Sequence, residues 1–144
     1  MHFRIDPTKE KVRVLGIGSS MRNNSFSTKA LTNILEIITV KYNTEARLVN
    51  LFETELPMYK PGTKFKNDNV KKITSDVNWA NVFVLASPDY HGSMSGTMKN
   101  FLDFFWKEFS GKTFAYIVSS HEKGLTVMDQ MRTAVRQCYA RSLP

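Results

Sequence analysis

The sequence predicts an α/β fold, a three-layer α/β/α sandwich in which helices cover both faces of a parallel sheet. Apolar runs typical of buried strands alternate with segments whose apolar residues recur every three to four positions, as on one face of a helix. Each predicted strand is followed by a helix, which allows a right-handed crossover to a parallel neighbour. Neither a repeat nor a linker divides the chain, so we expect a single domain over residues 1–144, with 1–11 as an N-terminal extension.

The first strand is predicted over residues 12–17, a short β-branched run with one charge. The helix after it has one apolar face, and Ser25 or Ser27 is placed to cap its N-terminus. The apolar face of this helix comprises Leu31, Ile34, Leu35, Ile38 and Tyr42.

The second strand–helix unit contains an unusually long connection. A strand is expected over 46–51, and the proline-containing loop 52–67 after it is long enough to suggest a function. Asp68 is placed to cap the helix that follows. The apolar face of this helix comprises Val70, Ile73, Val77 and Ala80.

The third and fourth units complete the alternation. The apolar run 82–86 predicts a central strand covered on both faces, and a helix is expected over 97–109. Another buried strand is predicted over 114–118. The last helix has an apolar face made of Met128, Met131, Val135 and Cys138.

The loop between the first strand and helix, residues 18–27, suits an anion. Unpaired N–H groups at a helix N-terminus carry partial positive charge, and Arg22 adds a full charge with forked donors. The hydroxyls available as donors are those of Ser19, Ser20, Ser25, Ser27 and Thr28. We interpret the loop as a phosphate site. The alternative is an ordinary strand-to-helix turn with a serine cap, and neither a dinucleotide fingerprint nor a Walker A loop is present.

Two more polar loops, 87–95 and 119–124, follow predicted strands. Gly92 permits close approach of the backbone to a ligand, and Tyr90 offers a flat face for stacking. Ligands of open parallel sheets bind at the carboxyl ends of the strands. All three loops end at that edge, so we expect them to form one site.

The first two loops carry a family resemblance. Residues 18–27 read Gly-Ser-Ser-Met-Arg-Asn-Asn-Ser-Phe-Ser, and residues 87–103 read Ser-Pro-Asp-Tyr-His-Gly-Ser-Met-Ser-Gly-Thr-Met-Lys-Asn-Phe-Leu-Asp. Together they resemble the two signatures of the NADPH-dependent FMN reductase family. The resemblance implies a flavodoxin-like fold with strand order 2-1-3-4-5 and the cofactors FMN and NADPH.

The resemblance also implies which residues contact FMN. His91 stands where related proteins often have Asn, and the third loop resembles its counterpart more weakly because it lacks paired glycines. The phosphate loop contributes Ser19, Arg22, Ser25, Phe26 and Ser27; the second loop contributes Pro88, Asp89, Tyr90, His91 and Gly92, largely through the main chain; and the third contributes Ser119 and His121.

Composition restricts the partners. The net charge is +7, but the basic residues are scattered, and without an RNA-binding motif we expect no nucleic-acid partner. No apolar run approaches the roughly 20 residues of a membrane helix, so no membrane partner is expected. The single cysteine, Cys138, is typical of a reducing cytoplasm. The one loose basic cluster, interpreted as a solvated face, comprises Lys60, Lys64, Lys66, Lys71 and Lys72.

The C-terminal end departs from the family pattern. The family fold has a fifth strand after the fourth helix, and the sequence reaches Pro144 where this strand should begin, so we expect it to be missing. Large side chains at Phe104 and Trp106 lie off the core stripe of the third helix and predict a dimer face. We therefore expect a homodimer or homotetramer.

The expected function is hydride transfer from NADPH through bound FMN to a small-molecule acceptor, namely a flavin, quinone, azo dye, nitro compound or metal ion. The sequence contains no Ser/His/Asp set and no metal-spaced ligands, so we expect neither a catalytic side chain nor a bound metal. Arg22, Lys123 and the lysines near loop 52–67 favour NADPH over NADH by charge. Two alternatives stay open: an electron carrier, although flavodoxins are typically acidic, and a non-catalytic flavin-binding protein.

Overall fold

A sheet flanked by helices forms the part of the chain that the computed structural model describes, residues 9–62 and 66–144. Its strands are β1 (Val12–Gly18), β2 (Thr44–Asn50), β3 (Val82–Tyr90), β4 (Ser93–Met94), β5 (Thr113–Ser119) and β6 (Arg141–Ser142). Its helices are α1 (Phe26–Lys41), α2 (Asp68–Trp79), α3 (Gly96–Asp103) and α4 (Leu125–Gln137), with a 3-10 turn at Lys107–Phe109. Residues 1–8 of the expected extension and Lys64 lie outside the described residues.

The strand order is β2-β1-β3-β5-β6, and every pair along this path is parallel. Only β4 departs from the path, because it folds back antiparallel on β3. With this short hairpin strand set aside, the order is the 2-1-3-4-5 of the flavodoxin-like fold. The expected fold class is therefore confirmed.

The C-terminal end differs from the expectation. A fifth parallel strand is present in short form, because Arg141 and Ser142 pair with Thr113 and Phe114 of β5. After α4 the chain reverses tightly and returns to the edge of β5 to form β6. In this reversal Tyr139 has a φ of 59°, and its carbonyl oxygen accepts a hydrogen bond from the Gly111 N–H. A two-residue strand has too little periodicity to be recognised in sequence.

Alternate side chains of the strands build two cores, one on each face of the sheet. Leu15 and Leu85 belong to the cluster covered by α2, α3 and α4, where Phe83 stacks on Phe114 with ring centroids 4.6 Å apart. Val14 belongs to the smaller cluster, which packs against α1. The period of two along each strand, with helices on both faces, makes the three layers.

Two glycines of β1 allow α1 to pack close to the sheet. A Cβ built on Gly16 would lie 2.7 Å from Leu35 Cδ1 and 2.9 Å from Leu31 Cδ1. A Cβ on Gly18 would lie 3.1 Å from Thr28 Oγ1. These distances are shorter than van der Waals contact, so the glycines admit the helix and thereby fix the start of the first loop.

The third helix is shorter than predicted. It ends at Asp103, and the chain continues to Phe109 partly as the 3-10 turn. The side chain of Phe104 is 4% exposed and packs edge-on against Tyr59, with ring centroids 5.2 Å apart. Its assignment to a dimer face is therefore wrong, because the long loop after β2 covers it, whereas Trp106 is 58% exposed.

Asn100 of α3 fastens that long loop. Its Nδ2 donates to the Pro57 carbonyl oxygen at 2.9 Å, and its Oδ1 accepts from the Tyr59 N–H at 2.8 Å. A single amide thus binds the backbone of the loop at two points. The segment 57–59 of the loop is therefore fastened to α3.

Side chains cap α1, α2 and α3; the sequence predicted the cap of α1 correctly and that of α2 one residue too late. Ser25 Oγ accepts from the Thr28 N–H and caps α1, and Ser95 Oγ caps α3 in the same way. The cap of α2 is Asn67, whose Oδ1 accepts from the Val70 N–H at 3.1 Å. Asp68, expected as this cap, is the first helical residue.

No helix in the described ranges is both long and apolar enough to cross a bilayer.

Candidate functional site

The three polar loops meet at the carboxyl ends of β1, β3 and β5 and enclose a cavity of about 650 Å³, which we call the central cavity. Its volume is within the range of small-molecule sites. Loops far apart in sequence supply its walls because the strands before them are neighbours in the sheet. The lining residues are Ser20, Arg22, Asn23, Asn24, Ser25, Phe26, Pro88, Asp89, Tyr90, Ser119, Ser120 and His121.

One end of the central cavity is the N-terminus of α1. The first N–H groups of a helix have no acceptor within the helix, and the Ser25 side chain accepts only that of Thr28. Arg22 is exposed beside this end, and its backbone N–H donates to Ser20 Oγ at 3.3 Å. Asn24 has a φ of 60°, which turns the chain into the helix. This end therefore presents N–H donors, hydroxyls and a guanidinium to a bound anion.

Ser19 does not face the central cavity, contrary to the expectation from sequence. Its N–H and its hydroxyl both donate to the Ala86 carbonyl oxygen, at 3.0 Å and 3.1 Å, so the hydrogen bonding of β1 to β3 extends one residue past β1. Ser95 Oγ donates to Ser19 Oγ at 2.7 Å, and Thr97 Oγ1 donates to the Ser19 carbonyl oxygen. Ser20 is the first residue free of this ladder, and it lines the cavity in place of Ser19.

The Ser27 side chain is also turned away from the cavity. It is buried, and its hydroxyl shares a 3.0 Å hydrogen bond with Ser25 Oγ. The expected role of Ser27 as a hydroxyl ligand is therefore not supported, because its side chain is occupied inside the turn. Its backbone N–H belongs to the helix N-terminus that ends the cavity.

The second loop is a β-hairpin, which the sequence interpretation missed. Tyr90 pairs with Ser93, and the two residues between them, His91 and Gly92, have φ values of 58° and 73°. Two positive φ values in a two-residue hairpin loop are the signature of a type I′ turn, for which Asn-Gly is the favoured pair. This geometry explains why Asn suits the position of His91, and His-Gly was the sequence signal for the hairpin.

His91 and Gly92 face a second cavity of about 860 Å³, which we call the side cavity. They do not line the central cavity, although both were expected in the flavin site. The two cavities share the wall formed by Asp89, Ser120 and His121. The type I′ turn directs His91 to the other side of this wall.

Asp89 uses its carboxylate to hold the loops together. Its Oδ1 accepts from the Gly92 N–H at 2.7 Å, and its Oδ2 accepts from Ser120 Oγ at 2.7 Å. Ser120 was not among the residues expected from sequence. Its Oγ also accepts from the Glu122 N–H at 3.1 Å. Ser120 therefore organises its own loop and also links this loop to Asp89.

The third loop ends at Gly124, a position where the structure has no room for a side chain. Gly124 has a φ of 64° at the start of α4, and a Cβ there would lie 2.7 Å from Val118 Cγ1. The loop therefore closes tightly on the end of β5, which brings Ser119 and His121 to the central cavity.

Within the described ranges, no group of three or more His, Cys, Asp or Glu side chains could hold a metal ion.

Two groups with shifted pKa values, Lys112 and Tyr116, lie outside these cavities. Burial lowers the pKa of Lys112, whose Nζ donates to the Val77 carbonyl oxygen at 2.6 Å near the end of α2. Burial also raises the pKa of Tyr116, whose hydroxyl shares a 2.7 Å hydrogen bond with Ser142 Oγ. Both interactions tie structural elements together and do not contribute to the site.

The donor set of the central cavity fits FMN. An N–H-rich helix end with Arg22 matches a phosphate, and the second-loop residues Pro88 and Tyr90 offer backbone groups and a flat aromatic side chain for a ring. Fold and cavity together define the class: a flavodoxin-like α/β protein with a polar cleft at the carboxyl edge of its sheet.

The family is shown by comparison with known sequences. The family model of the NADPH-dependent FMN reductases matches residues 12–144. The chain belongs to the NADPH-dependent FMN reductase family, as its two motifs predicted. FMN and NADPH are thus the cofactors of its family.

Individual relatives agree with this assignment. The chain is 33% identical over 105 residues to an NADPH azoreductase of Bacillus sp. (strain OY1-2), a match that covers 69% of this chain and 58% of the relative. It is 25% identical over 117 residues to an NAD(P)H-dependent FMN reductase of Pseudomonas aeruginosa, with 77% and 61% covered. The chain thus spans less than two thirds of the length of these two relatives.

The fold is also similar to that of solved structures. The apo form of an NADH:FMN oxidoreductase superposes with a TM-score of 0.79 at 18% identity, over 92% of this chain and 72% of that one. At this identity the likeness is evidence for the fold alone. It agrees with the strand order described above.

Proposed function

We propose that the protein is an FMN-dependent NAD(P)H oxidoreductase that binds FMN in the central cavity and passes reducing equivalents from NADPH to a small-molecule acceptor. The observation that supports this most strongly is that three loops, each after a different parallel strand, line one cavity with an anion-binding end. Membership of the reductase family supports the same activity.

The residues of the central cavity have distinct proposed roles. Arg22, Ser20, Ser25 and the N–H groups that begin α1, including those of Phe26 and Ser27, bind the phosphate. The segment Pro88–Tyr90 and the third-loop residues Ser119 and His121 orient the ring. Bound FMN accepts hydride from a nicotinamide and passes the electrons on, so the protein need only bind, orient and shield it.

No acid–base side chain is needed in this proposal. The one carboxylate that lines the central cavity, that of Asp89, accepts hydrogen bonds from the Gly92 N–H and from Ser120 Oγ, and we assign it to holding the two loops. We assign Tyr90 and Pro88 to excluding water from one side of the ring, since both line the cavity with apolar surface.

The acceptor belongs to the class of small conjugated oxidants. We propose flavins, quinones, azo dyes, nitro compounds or oxidised metal ions, and the azoreductase name of the Bacillus relative favours azo dyes as the first to test. A preference for NADPH rests on the positive charge of Lys123, which lines the side cavity. The proposed location is the cytoplasm, consistent with a single cysteine.

We also propose self-association, as a homodimer or homotetramer. The exposed apolar side chains near α3 that support it are Trp106 and Met58, which are 58% and 74% exposed. Phe104 is buried and is not part of this exposed surface. Light scattering at micromolar concentration decides it, and a monomeric mass would remove the proposal.

The visible spectrum of the purified protein, mixed with FMN and then with NADPH in the absence of oxygen, tests the function. Bound FMN whose bands bleach on NADPH addition is the expected result. Bands that persist point to the electron carrier or to a non-catalytic flavin protein, and no uptake of FMN contradicts all three. Free FMN with NADPH alone is the control for non-enzymatic reduction.

A further inference from the structure

The side chain of Asp89 forms part of a wall between two cavities. Together with Ser120 and His121, it lines both the central cavity and the side cavity. The residue is half-buried, at the end of β3 where the hairpin begins. A movement of this wall would change the shape of both cavities.

Two hydrogen bonds fix the carboxylate in this wall. The Gly92 N–H donates to Oδ1 and Ser120 Oγ donates to Oδ2, each at 2.7 Å. Hydrogen bonds to a charged acceptor are shorter and roughly twice as strong as neutral ones. The first bond holds the type I′ turn, and the second reaches the loop between β5 and α4.

No other side-chain hydrogen bond joins these two loops within the described residues. The backbone ladder between β3 and β5 ends at the pair Pro88 and Ser119. Beyond it, Gln130 Oε1 accepts from Ser93 Oγ and from the Met94 N–H, at 2.9 Å and 3.1 Å, but this contact joins the hairpin to α4. Past the end of the ladder, the hydrogen bond between Ser120 Oγ and Asp89 Oδ2 is therefore the side-chain link between the two loops in the described residues.

We propose that Asp89 is a positioning residue for the flavin ring: its carboxylate holds the β3–β4 turn and the β5–α4 loop at the spacing that the ring requires. The inference rests on the proposed function. Asp89 belongs to the second loop, the segment proposed above to orient the ring, and Arg22 belongs to the first loop, so loss of the Asp89 carboxylate should weaken the binding of FMN and of riboflavin by the same factor. Loss of a residue that binds the phosphate would instead weaken the binding of FMN alone.

The test compares Asp89→Ala, Asp89→Asn and Ser120→Ala with Asp68→Ala, which removes an exposed carboxylate on α2. Hydrogen–deuterium exchange of the flavin-free protein is measured first. Exchange should rise at residues 90–94 and 119–124 in Asp89→Ala, less in Ser120→Ala, and stay at the wild-type level in Asp68→Ala. The amide of Asp89→Asn can accept from Gly92 and donate to Ser120 Oγ, so it should restore protection.

Fluorescence titration with FMN and riboflavin follows. Asp89→Ala should raise both dissociation constants by roughly tenfold, the loss of one or two charge-assisted bonds, and Asp89→Asn should recover most of it. Unchanged exchange in Asp89→Ala overturns the bridge, and increased exchange with unchanged affinity for both flavins overturns the positioning role. A wild-type protein that binds neither flavin contradicts the proposed function instead, and the exchange result still decides the bridge.

Discussion

Ser95 donates a 2.7 Å hydrogen bond to the hydroxyl of Ser19, and both residues are almost completely buried. The contact joins the start of α3 to the end of β1 across 76 positions of sequence. Ser95 also caps α3 by accepting from the Met98 N–H at 3.1 Å. One hydroxyl therefore sets the place of the first loop relative to the second.

Ser95→Ala should destabilise the protein by about 2 kcal/mol, because it removes a helix cap and leaves buried polar groups of Ser19 with fewer partners. Urea denaturation followed by circular dichroism measures the loss. Ser110→Ala, at an exposed serine, is the control and should change stability by less than about 0.5 kcal/mol. Equal stability of the two variants would contradict the role of Ser95.

His91→Asn should stabilise the protein by roughly 0.5 kcal/mol, because Asn tolerates a positive φ best among residues with side chains and Asn-Gly is the preferred pair of a type I′ turn. His91→Val should lose about 1 kcal/mol or more, since a β-branched residue is strained there. Denaturation midpoints compare the three proteins. Equal denaturation midpoints for His91→Val and His91→Asn would refute the role assigned to the positive φ at this position.

Gly16→Ala should lose about 1–3 kcal/mol, because the new methyl group would meet Leu31 and Leu35 of α1 at under 3.0 Å. Gly96→Ala is the matched control: a Cβ there meets nothing within 4 Å, and alanine favours the helix that begins at this residue. We therefore expect Gly96→Ala to be neutral or stabilising in thermal unfolding. A Gly16→Ala protein as stable as the wild type would show that α1 can shift away.

Arg22→Ala should weaken FMN binding by roughly 10- to 100-fold and leave riboflavin binding nearly unchanged, because the guanidinium lies at the phosphate end of the central cavity. Ser20→Ala should act in the same direction with a smaller effect. Fluorescence titration with both flavins gives the ratio, and Lys41→Ala at the far end of α1 is the charge control. A parallel loss of both flavins would place Arg22 elsewhere in binding.

Ser19→Ala and Ser20→Ala distinguish the sequence expectation from the structure. Ser19 is hydrogen-bonded to Ala86 and Ser95 inside the protein, so its replacement should lower the free energy of unfolding by about 1 kcal/mol or more. Ser20→Ala should instead alter the FMN-to-riboflavin ratio. If Ser19→Ala changed that ratio without a loss of stability, the assignment from sequence would be restored.

Much of the fold was predictable because the strands and helices have clear periods. The helical spacing from Leu31 to Tyr42 and the apolar run 82–86 each indicate one element without knowledge of the rest. The strand order followed from the alternation of elements and the family resemblance. The meeting of the three loops then followed from parallel strands, whose carboxyl ends share an edge.

The misses have a common cause, since each depends on contacts between segments distant in sequence. The serine that faces the cavity depends on how far the ladder from Ser19 to Ala86 extends, and adjacent serines do not reveal this. Phe104 is buried by Tyr59, which belongs to a loop with no periodicity. The strand at Arg141 needs β5 beside it to form.

The shared wall between the central and side cavities has a thermodynamic consequence. Any molecule that binds one cavity and displaces the segment around Ser120 must change the affinity of the other cavity for its own ligand. Linkage requires the two effects to be equal in size and sign, whichever ligand arrives first. A ligand that binds either cavity and lengthens the hydrogen bond between Ser120 Oγ and Asp89 Oδ2 would therefore couple the two cavities through that one contact.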